Sequence, residues 1–283
     1  MIHLPAANLS ALADARLAAG LAAGAGEALM TLRAASELAG REAIADLRRA
    51  GDAAAQAWLA AALADARPDD AVLSEEAADD ARRLSADRTW IIDPLDGTRE
   101  FAERRHDGTW RDDFAVHVAL WRRGAGLTDA AVALPARGMV LASDAPVAPD
   151  DPAARAVLAG LRRFRIAVSR SRPPAVARRL GERRDVELVP MGSTGFKAMA
   201  VLRGTVDAYV HAGGQYEWDS AAPVAVAHAS GFVATRLDGS PLEYNRRDPW
   251  SPDLVICHPA LDARLRVLLA EAGTEPTTGA ARC

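Results

Sequence analysis

Apolar residues in the first quarter of the chain recur at helical spacing. Between Asn8 and Leu38 they return about every 3.6 residues, which predicts one long helix. A second helix is expected to follow, and its clearest part runs from Asp52 to Pro68. Proline ends that helix, and Asp52 is expected to cap its N-terminus. The first quarter is therefore predicted to be helical.

The pattern then changes to short apolar runs that predict strands. Residues 71–73 and 89–92 are expected to form two buried strands, and acidic residues follow each of them. Residues 114–120 and 130–134 show an alternating pattern with a period of two residues, and glycine turns separate the two stretches. Such alternation is typical of an antiparallel meander.

The second half of the chain alternates between strands and helices and is predicted to be of α/β type. Strands are expected near 165–168, 186–189 and 207–211, and helices near 174–180, 194–202 and 219–229. Between the halves, residues 143–152 contain three prolines and three aspartates, which is typical of a linker. We therefore expect an N-terminal α+β subdomain at 1–145, a C-terminal α/β subdomain at 146–272 and a frayed tail at 273–283.

Composition and charge exclude several classes of partner. The net charge of −4 and the pI near 5.9 provide no basic surface for nucleic acid or for an anionic membrane. No apolar run approaches the roughly 20 residues of a membrane span, and the first residues do not have the layout of a signal peptide. Cys257, expected in a strand, and Cys283 offer no disulfide framework. We expect a cytoplasmic protein, monomeric or homodimeric, whose partner is a small molecule.

The candidate chemistry is concentrated in the segment Asp93-Pro94-Leu95-Asp96-Gly97-Thr98. Two carboxylates three residues apart at the end of a strand can hold hard cations, and Mg²⁺ prefers such oxygen ligands. The backbone N–H groups at the end of the segment begin a helix, where phosphate binds well. A surface turn would explain these two aspartates alone. It would not explain the further acids at Asp52, Glu75-Glu76 and Asp219, so a site for metal and phosphate is favoured.

Three segments resemble motifs of the inositol monophosphatase family, in the family's order and with similar spacing. They are Ser74-Glu75-Glu76, Trp90-Ile91-Ile92-Asp93-Pro94-Leu95-Asp96-Gly97-Thr98 and Glu217-Trp218-Asp219-Ser220-Ala221-Ala222. The resemblance covers nearly the whole chain, although Ser74 stands where the family usually has glycine. It implies an α+β fold of the inositol monophosphatase and fructose-1,6-bisphosphatase type, a layered α/β/α/β/α sandwich. It also implies a phosphoric monoester hydrolase that uses Mg²⁺, with two or three ions per site, and that is sensitive to Li⁺.

The resemblance also implies residue roles. The first metal would be held by Glu75, Asp93 and the carbonyl of Leu95, and the second by Asp93, Asp96 and Asp219. Glu76 is expected outside both ligand sets, either as a hydrogen-bond acceptor beside them or as an exposed acid. Thr98 and Asp52 would together activate the attacking water, although a plain helix cap is the alternative for Asp52. Residues 41–50 lack the usual basic or hydroxyl side chains, which leaves a third metal open.

Within the family, several details resemble the bacterial branch that hydrolyses 3′-phosphoadenosine 5′-phosphate in sulfur metabolism. These details are at residues 99–101, 192–197 and 213–217. The resemblance implies that AMP and phosphate are the products and that the sulfated nucleotide is a further substrate. His211 stands where inositol-specific members tend to carry glutamate, which places inositol 1-phosphate second as a substrate. Fructose 1,6-bisphosphate is a further alternative. A metal-binding regulator without turnover is a second alternative.

Substrate contacts are predicted on both sides of the linker. They are Gly97, Thr98, Gly192, Ser193, Thr194, Lys197 and Glu217. Lys197, the only lysine, is the candidate for binding a second phosphate. The alternative for Lys197 itself is a solvated lysine on a helix, in which case the basic residues 104–106 would bind that phosphate. Ser193 would equally serve as an N-cap, and Tyr216 would either stack on a base or be structural. Histidines in apolar or terminal contexts are expected to be structural, namely His3, His117, His228 and His258.

Overall fold

The structure, a computed structural model, describes residues 9–36 and 40–273. The predictions for His3, for both ends of the first helix at 8 and 37–38, and for the tail at 274–283 lie outside these ranges. The described chain contains two five-stranded sheets and eight α-helices. The helices are α1 (Asp14–Ala34), α2 (Gly40–Ala66), α3 (Thr98–Phe101), α4 (Asp151–Leu158), α5 (Ala175–Gly181), α6 (Thr194–Leu202), α7 (Glu217–Ala229) and α8 (Asp262–Ala272). The strands are β1 (Ala71–Ser74), β2 (Arg88–Asp96), β3 (Ala115–Arg122), β4 (Gly126–Leu134), β5 (Met139–Ala142), β6 (Phe164–Ser169), β7 (Val186–Met191), β8 (Ala208–Tyr216), β9 (Val233–Thr235) and β10 (Trp250–Cys257).

The two N-terminal helices cover the outer face of the first sheet. Their buried leucines and alanines join residues of β2, β3 and β4 in one apolar core. The prediction that Asp52 caps the second helix is wrong, because α2 already begins at Gly40. Residues 41–50 are mostly alanine, arginine, leucine and glutamate, which are strong helix formers, so the helix extends upstream of Asp52. Asp52 therefore projects from the middle of a helix.

The first sheet has the strand order β1-β2-β3-β4-β5. Strands β1 and β2 pair in parallel, and β2 to β5 form an antiparallel meander, in which β3 and β4 are the two strands of the predicted meander. Strand β2 is longer than predicted, because it continues through Pro94 to Asp96 with a shift of its register against β3. Proline is tolerated at such an irregularity, where its missing N–H is not needed by the ladder. The sequence does not predict β5, since four residues are too few to establish a period.

The second sheet has the strand order β7-β6-β8-β10-β9. Strand β6 pairs in parallel with β7 and β8, whereas β10 is antiparallel to β8 and β9. The predicted strands and helices of this half are present, and Cys257 ends β10, as expected for a residue in a strand. The sequence pattern misses β9, α4 and α8, and it predicts β10 only at Cys257. The first half of β10 contains proline and aspartate and has no apolar alternation, so its pairing partner rather than its pattern makes it a strand.

The layers follow from the faces that these elements bury. Helices α6 and α7 lie between the sheets, and their buried side chains share a core with both. Helices α4, α5 and α8 cover the outer face of the second sheet. With α1 and α2 on the opposite side, the layer order is α/β/α/β/α, which confirms the predicted fold class. None of the helices described is long and apolar enough to cross a membrane.

The strands of the first sheet all precede the segment 143–150, and those of the second sheet all follow it. This segment contains no helix or strand, whereas the last two residues of the predicted linker at 143–152 already belong to α4. The central helices nevertheless pack against both sheets. Two subdomains divided near residue 145 therefore stay a prediction.

Candidate active site

Four acidic side chains from three separate segments meet at one end of the first sheet. Glu75 follows β1, Asp93 and Asp96 lie in β2, and Asp219 is in the first turn of α7. Because β1 and β2 are parallel neighbours, their carboxyl ends bring Glu75 beside Asp93. Carboxylate oxygens of Asp93, Asp96 and Asp219 lie within 4.8 Å of one another. The structure therefore brings together the acids that the sequence analysis grouped, and their role as metal ligands stays a prediction.

Asp93 and Asp219 are each held through one carboxylate oxygen. The backbone N–H of Leu95 donates to Asp93 Oδ1 at 3.0 Å, and the N–H of Tyr216 donates to Asp219 Oδ2 at 2.6 Å. Asp93 Oδ2 is buried and accepts no hydrogen bond from any residue that the structure describes. A buried carboxylate oxygen without a donor is destabilising unless a cation meets it. The donor set and the unmet charge therefore fit a divalent metal ion.

Asp96 is anchored by the loop that precedes α6. The hydroxyl of Ser193 and the backbone N–H of Gly195 both donate to Asp96 Oδ2, at 2.5 and 2.7 Å. Ser193 has a φ of +52°, a strained value for a residue with a side chain. Its hydroxyl also accepts the N–H of Phe196 at 2.9 Å, as the N-cap of α6. The alternative interpretation of Ser193 as an N-cap is thus present, and the same hydroxyl orients a candidate ligand.

His117, which is predicted to be structural, lies against a candidate ligand. Its Nε2 lies 3.1 Å from Asp96 Oδ2, and its Nδ1 lies 3.1 Å from the carbonyl oxygen of Trp218. Gly195 permits this approach, because a Cβ there would come within 2.1 Å of Nε2. An inward-facing histidine in a strand gives the same sequence pattern whether it packs in a core or against a carboxylate. His228 and His258, by contrast, make hydrogen bonds with backbone atoms away from the cleft.

Crowding of the carboxylates shifts their pKa values. Burial together with the charge of Glu75 raises the pKa of Asp93 well above its ordinary value. Burial and the charge of Asp219 raise the pKa of Glu75 to about 7, while burial and the charge of Asp96 raise that of Asp219 to about 6. Burial also acts to raise the pKa of Asp96. Neighbouring groups, first His117 and then Lys197 and Ser193, outweigh this effect and hold the pKa of Asp96 below its usual value. A divalent cation would relieve the repulsion that raises the other three.

The predicted pair of Asp52 and Thr98 is in contact. The hydroxyl oxygen of Thr98 lies 3.1 Å from Asp52 Oδ1 and 3.1 Å from the carbonyl oxygen of Leu95. Burial and the charge of Glu76 raise the pKa of Asp52 to about 6, against the opposing hydrogen bond from Thr98. Glu76 itself is exposed, which is one of its two predicted alternatives. Asp52, in the middle of helix α2, is thus a candidate general base.

Lys197 lies behind the wall of the site. Its side chain is 4% exposed, and its ammonium group donates to the carbonyl oxygens of Gly192, at 3.3 Å, and of Ser193. The alternative of a solvated helix lysine is therefore wrong, because Lys197 is on the buried side of α6. Burial lowers the pKa of Lys197 to about 8, against the opposing charge of Asp96. Its ammonium group ties down the loop that holds Asp96.

Glu217 is predicted to bind substrate, but both of its carboxylate oxygens are occupied within the protein. Its side chain is 1% exposed, and it accepts the backbone N–H groups of Asn245 at 2.7 Å and Arg246 at 2.8 Å. The side chain of Asn245 in turn accepts a hydrogen bond of 2.8 Å from buried Arg83. Glu217 therefore joins the start of α7 to the segment after β1. This geometry does not support direct contact with a substrate.

A cleft of about 650 Å³ opens beside the acids. Six of the predicted substrate-binding residues line it, namely Gly97, Thr98, Gly192, Ser193, Thr194 and Lys197. Arg170 and Arg172 also line it and are absent from the sequence-based set. Arg170 pairs with Glu100 and Asp113, whereas Arg172 is exposed and makes no ion pair within the described part of the chain. Both arginines lie within four residues of the end of the predicted strand at 165–168, and two basic residues at that position were the available signal.

Comparison with known proteins agrees with this arrangement. Residues 13–273 match the inositol monophosphatase family. A 3′-phosphoadenosine 5′-phosphate phosphatase of Mycobacterium leprae is 52% identical over 256 residues, which cover 87% of this chain and 89% of that protein. A 3′(2′),5′-bisphosphate nucleotidase CysQ of Escherichia coli is 30% identical over 214 residues, which cover 70% of this chain and 80% of that protein.

Solved structures share the fold. Staphylococcal IMPase-II superposes with a TM-score of 0.69 at 19% identity and covers 91% of this chain and 93% of its own. CysQ from Bacteroides thetaiotaomicron, described as a bacterial member of the inositol monophosphatase family, gives 0.68 at 24% identity and covers 89% and 99%. At these identities the likeness concerns the fold alone, whereas the family match spans most of the sequence. The chain therefore belongs to the inositol monophosphatase family.

Proposed function

We propose that this protein is a Mg²⁺-dependent phosphatase that hydrolyses the 3′-phosphate of 3′-phosphoadenosine 5′-phosphate to give AMP and phosphate. The observation that carries the proposal is the convergence of Asp93, Asp96 and Asp219 beside a cleft with basic residues on its wall. The relatives compared above act, by their names, on 3′-phosphoadenosine 5′-phosphate and on 3′(2′),5′-bisphosphate nucleotides. Their names favour this substrate class over an inositol phosphate.

The ligands on offer suit Mg²⁺. We assign Glu75, Asp93 and the carbonyl of Leu95 to a first ion, and Asp93, Asp96 and Asp219 to a second. Carboxylate and carbonyl oxygens are hard donors, which favour Mg²⁺ over softer metals. Bound at these oxygens, divalent cations would neutralise the charge of a phosphate monoester in the cleft. The anchored oxygens of Asp93, Asp96 and Asp219 keep the ligands oriented.

We assign to Thr98 and Asp52 the removal of a proton from the attacking water. A water held at the Thr98 hydroxyl can pass its proton toward Asp52 through the hydrogen bond of 3.1 Å. With a pKa of about 6, the Asp52 carboxylate is ionised at neutral pH and more basic than an ordinary aspartate. Helix α2 therefore contributes the general base.

The second phosphate of the nucleotide needs a cation away from the metal ligands. Lys197 and Arg172 both line the cleft, whereas residues 104–106 are not part of its wall. Lys197 supplies positive charge from behind the loop, and exposed Arg172 presents paired N–H donors that match a phosphate. We therefore propose that the second phosphate binds exposed Arg172, and that buried Lys197 adds positive charge from behind the loop.

Phosphate release from a panel of substrates tests the proposed function. The panel contains 3′-phosphoadenosine 5′-phosphate, its sulfated form, inositol 1-phosphate and fructose 1,6-bisphosphate, each with Mg²⁺ and with a chelator. We expect the highest kcat/KM for the two nucleotides and no turnover with the chelator. Preference for inositol 1-phosphate or fructose 1,6-bisphosphate would overturn the substrate. Binding of Mg²⁺ without turnover of any substrate would instead support a non-catalytic regulator.

Asp93→Asn is expected to lower Mg²⁺-dependent turnover by about a thousand-fold or more while the protein stays folded. The substitution removes the one carboxylate assigned to both ions, and metal assistance contributes several kcal/mol to such reactions. Asp65→Asn, on the exposed side of α2, is the matched control and should keep full activity. Circular dichroism and urea unfolding check that both variants fold. Near-normal turnover by Asp93→Asn would rule out the assigned metal site.

The pH dependence of kcat reports on Asp52. At saturating Mg²⁺ and substrate, kcat should fall as the pH drops through about 6, because protonated Asp52 cannot accept a proton. Glu76→Gln removes a charge that raises the pKa of Asp52, so the acidic limb should move to lower pH. Asp52→Asn should lower kcat and abolish that limb. An unchanged limb in Asp52→Asn would show that another group titrates there.

Variants of the two cations separate their roles. Arg172→Gln should raise the KM for 3′-phosphoadenosine 5′-phosphate about 10-fold or more and leave inositol 1-phosphate nearly unaffected, because only the bisphosphate loses a charged hydrogen bond. Lys197→Met should impair both substrates, since it also frees the loop that holds Asp96, with the larger loss for the bisphosphate. Steady-state kinetics on purified variants measures both effects. Equal losses on the two substrates for both variants would refute the second-phosphate site.

A further inference from the structure

Three aromatic side chains form one corner of the cleft. Tyr216 ends β8, Trp218 is in the first turn of α7 and Trp250 begins β10, and all three line the cleft. The rings of Tyr216 and Trp218 stack with their centroids 4.7 Å apart and their planes at 13°. Trp250 pairs directly with Tyr216 across the antiparallel strands, so both side chains lie on the same face of the sheet. We call these three residues the aromatic corner.

Tyr216 is the exposed member of the aromatic corner. It is 45% exposed although its ring packs on Trp218. The other large apolar residues that are exposed in the described part of the chain do not line the cleft: Leu158, Leu161 and Val267. A tyrosine ring that is backed by a tryptophan and open to a cleft offers a surface on which a flat ligand can stack.

The backbone holds this ring next to a candidate metal ligand. The N–H of Tyr216 donates to Asp219 Oδ2 at 2.6 Å, so the residue that carries the ring also orients the carboxylate. If the phosphate of a ligand binds beside Asp219, the group that lies near Tyr216 is the one separated from that phosphate by a single small unit of the ligand. In a nucleoside 3′,5′-bisphosphate that unit is the ribose, which carries the base and the second phosphate, and of these two groups only the base can stack on an aromatic ring.

Two glycines leave space beside the ring. Gly213 and Gly214 have φ values of +112° and +94°, which favour glycine. A Cβ at Gly214 would come within 2.7 Å of the indole nitrogen of Trp250, so glycine lets that ring pack against the backbone. A Cβ at Gly213 would meet no atom within 4 Å. The cleft is therefore open next to the aromatic corner.

We propose that Tyr216, supported by Trp218, is the stacking platform for the purine base of the nucleotide. The inference rests on the proposed function for its substrate class and adds a residue that distinguishes a nucleotide from a base-free phosphate ester. Stacking requires a flat aromatic ring, so phenylalanine replaces tyrosine and leucine does not. The contact acts on binding and lies outside the reacting groups, so its loss changes KM more than kcat.

Three variants separate the ring from its bulk: Tyr216→Phe, Tyr216→Leu and Tyr216→Ala. With 3′-phosphoadenosine 5′-phosphate, KM should rise about 10-fold or more for the leucine and alanine variants, and Tyr216→Phe should resemble the wild type. With glycerol 2-phosphate, which has no base, KM should change far less in all three. Leu161→Ala, at a residue that is 81% exposed and outside the cleft, is the control for truncation of an exposed apolar side chain. If the alanine variant does not fold, the leucine variant retains most of the bulk.

A second readout does not depend on turnover. Titration with AMP, followed by tryptophan fluorescence, should give a dissociation constant that rises about 10-fold in Tyr216→Leu and is retained in Tyr216→Phe. Equal losses on the two substrates, or unchanged AMP binding in Tyr216→Leu, would overturn the platform. A protein that binds AMP through Tyr216 and does not hydrolyse the bisphosphate would overturn the proposed function while supporting the platform.

Discussion

Repulsion among carboxylates is the constraint on which the rest of this structure depends. Asp93, Asp96 and Asp219 bring oxygens within 4.8 Å of one another, an arrangement that destabilises a folded protein unless donors or cations compensate for it. The chain compensates in part by directing N–H or O–H donors at one oxygen of each carboxylate. Cations shared among the remaining oxygens would complete the compensation. Burial of the surrounding cores holds these charges in place before any ligand arrives.

Elements from different layers must keep their register for this site to exist. Strand β2 belongs to the first sheet, whereas α7 and the loop before α6 belong to the central layer. His117 bridges them, since its two ring nitrogens contact Asp96 and the carbonyl of Trp218. On the other side of α7, Glu217 is tied through Asn245 to Arg83. Neither His117 nor Glu217 has to touch a substrate to matter for the site, because each connects elements that carry or adjoin the candidate ligands.

The cleft contains two sets of residues, and the proposed function gives them different tasks. The acids and the pair of Asp52 and Thr98 would provide the groups that any phosphate monoester needs. Arg172, Lys197 and Tyr216 would provide cationic and aromatic groups that only some substrates can use. Under the proposed function, reaction type and substrate choice are therefore carried by different residues of one cleft, which is how one fold can serve several substrates. The acidic motif in the sequence is informative about the first task and silent about the second.

The sequence by itself determined the local features of this protein. Carboxylates at the ends of β1 and β2, the meander and the start of α6 all depend on spacing over a few residues, and the pattern predicts them. Tertiary structure alone decided which elements would face one another. It brought Asp52 against Thr98, buried Lys197, occupied Glu217 with backbone donors and gave β10 its strand conformation through pairing with β8. The physical reason is that hydrophobic periodicity shows which side of an element is buried, but only packing of the layers decides what covers that side.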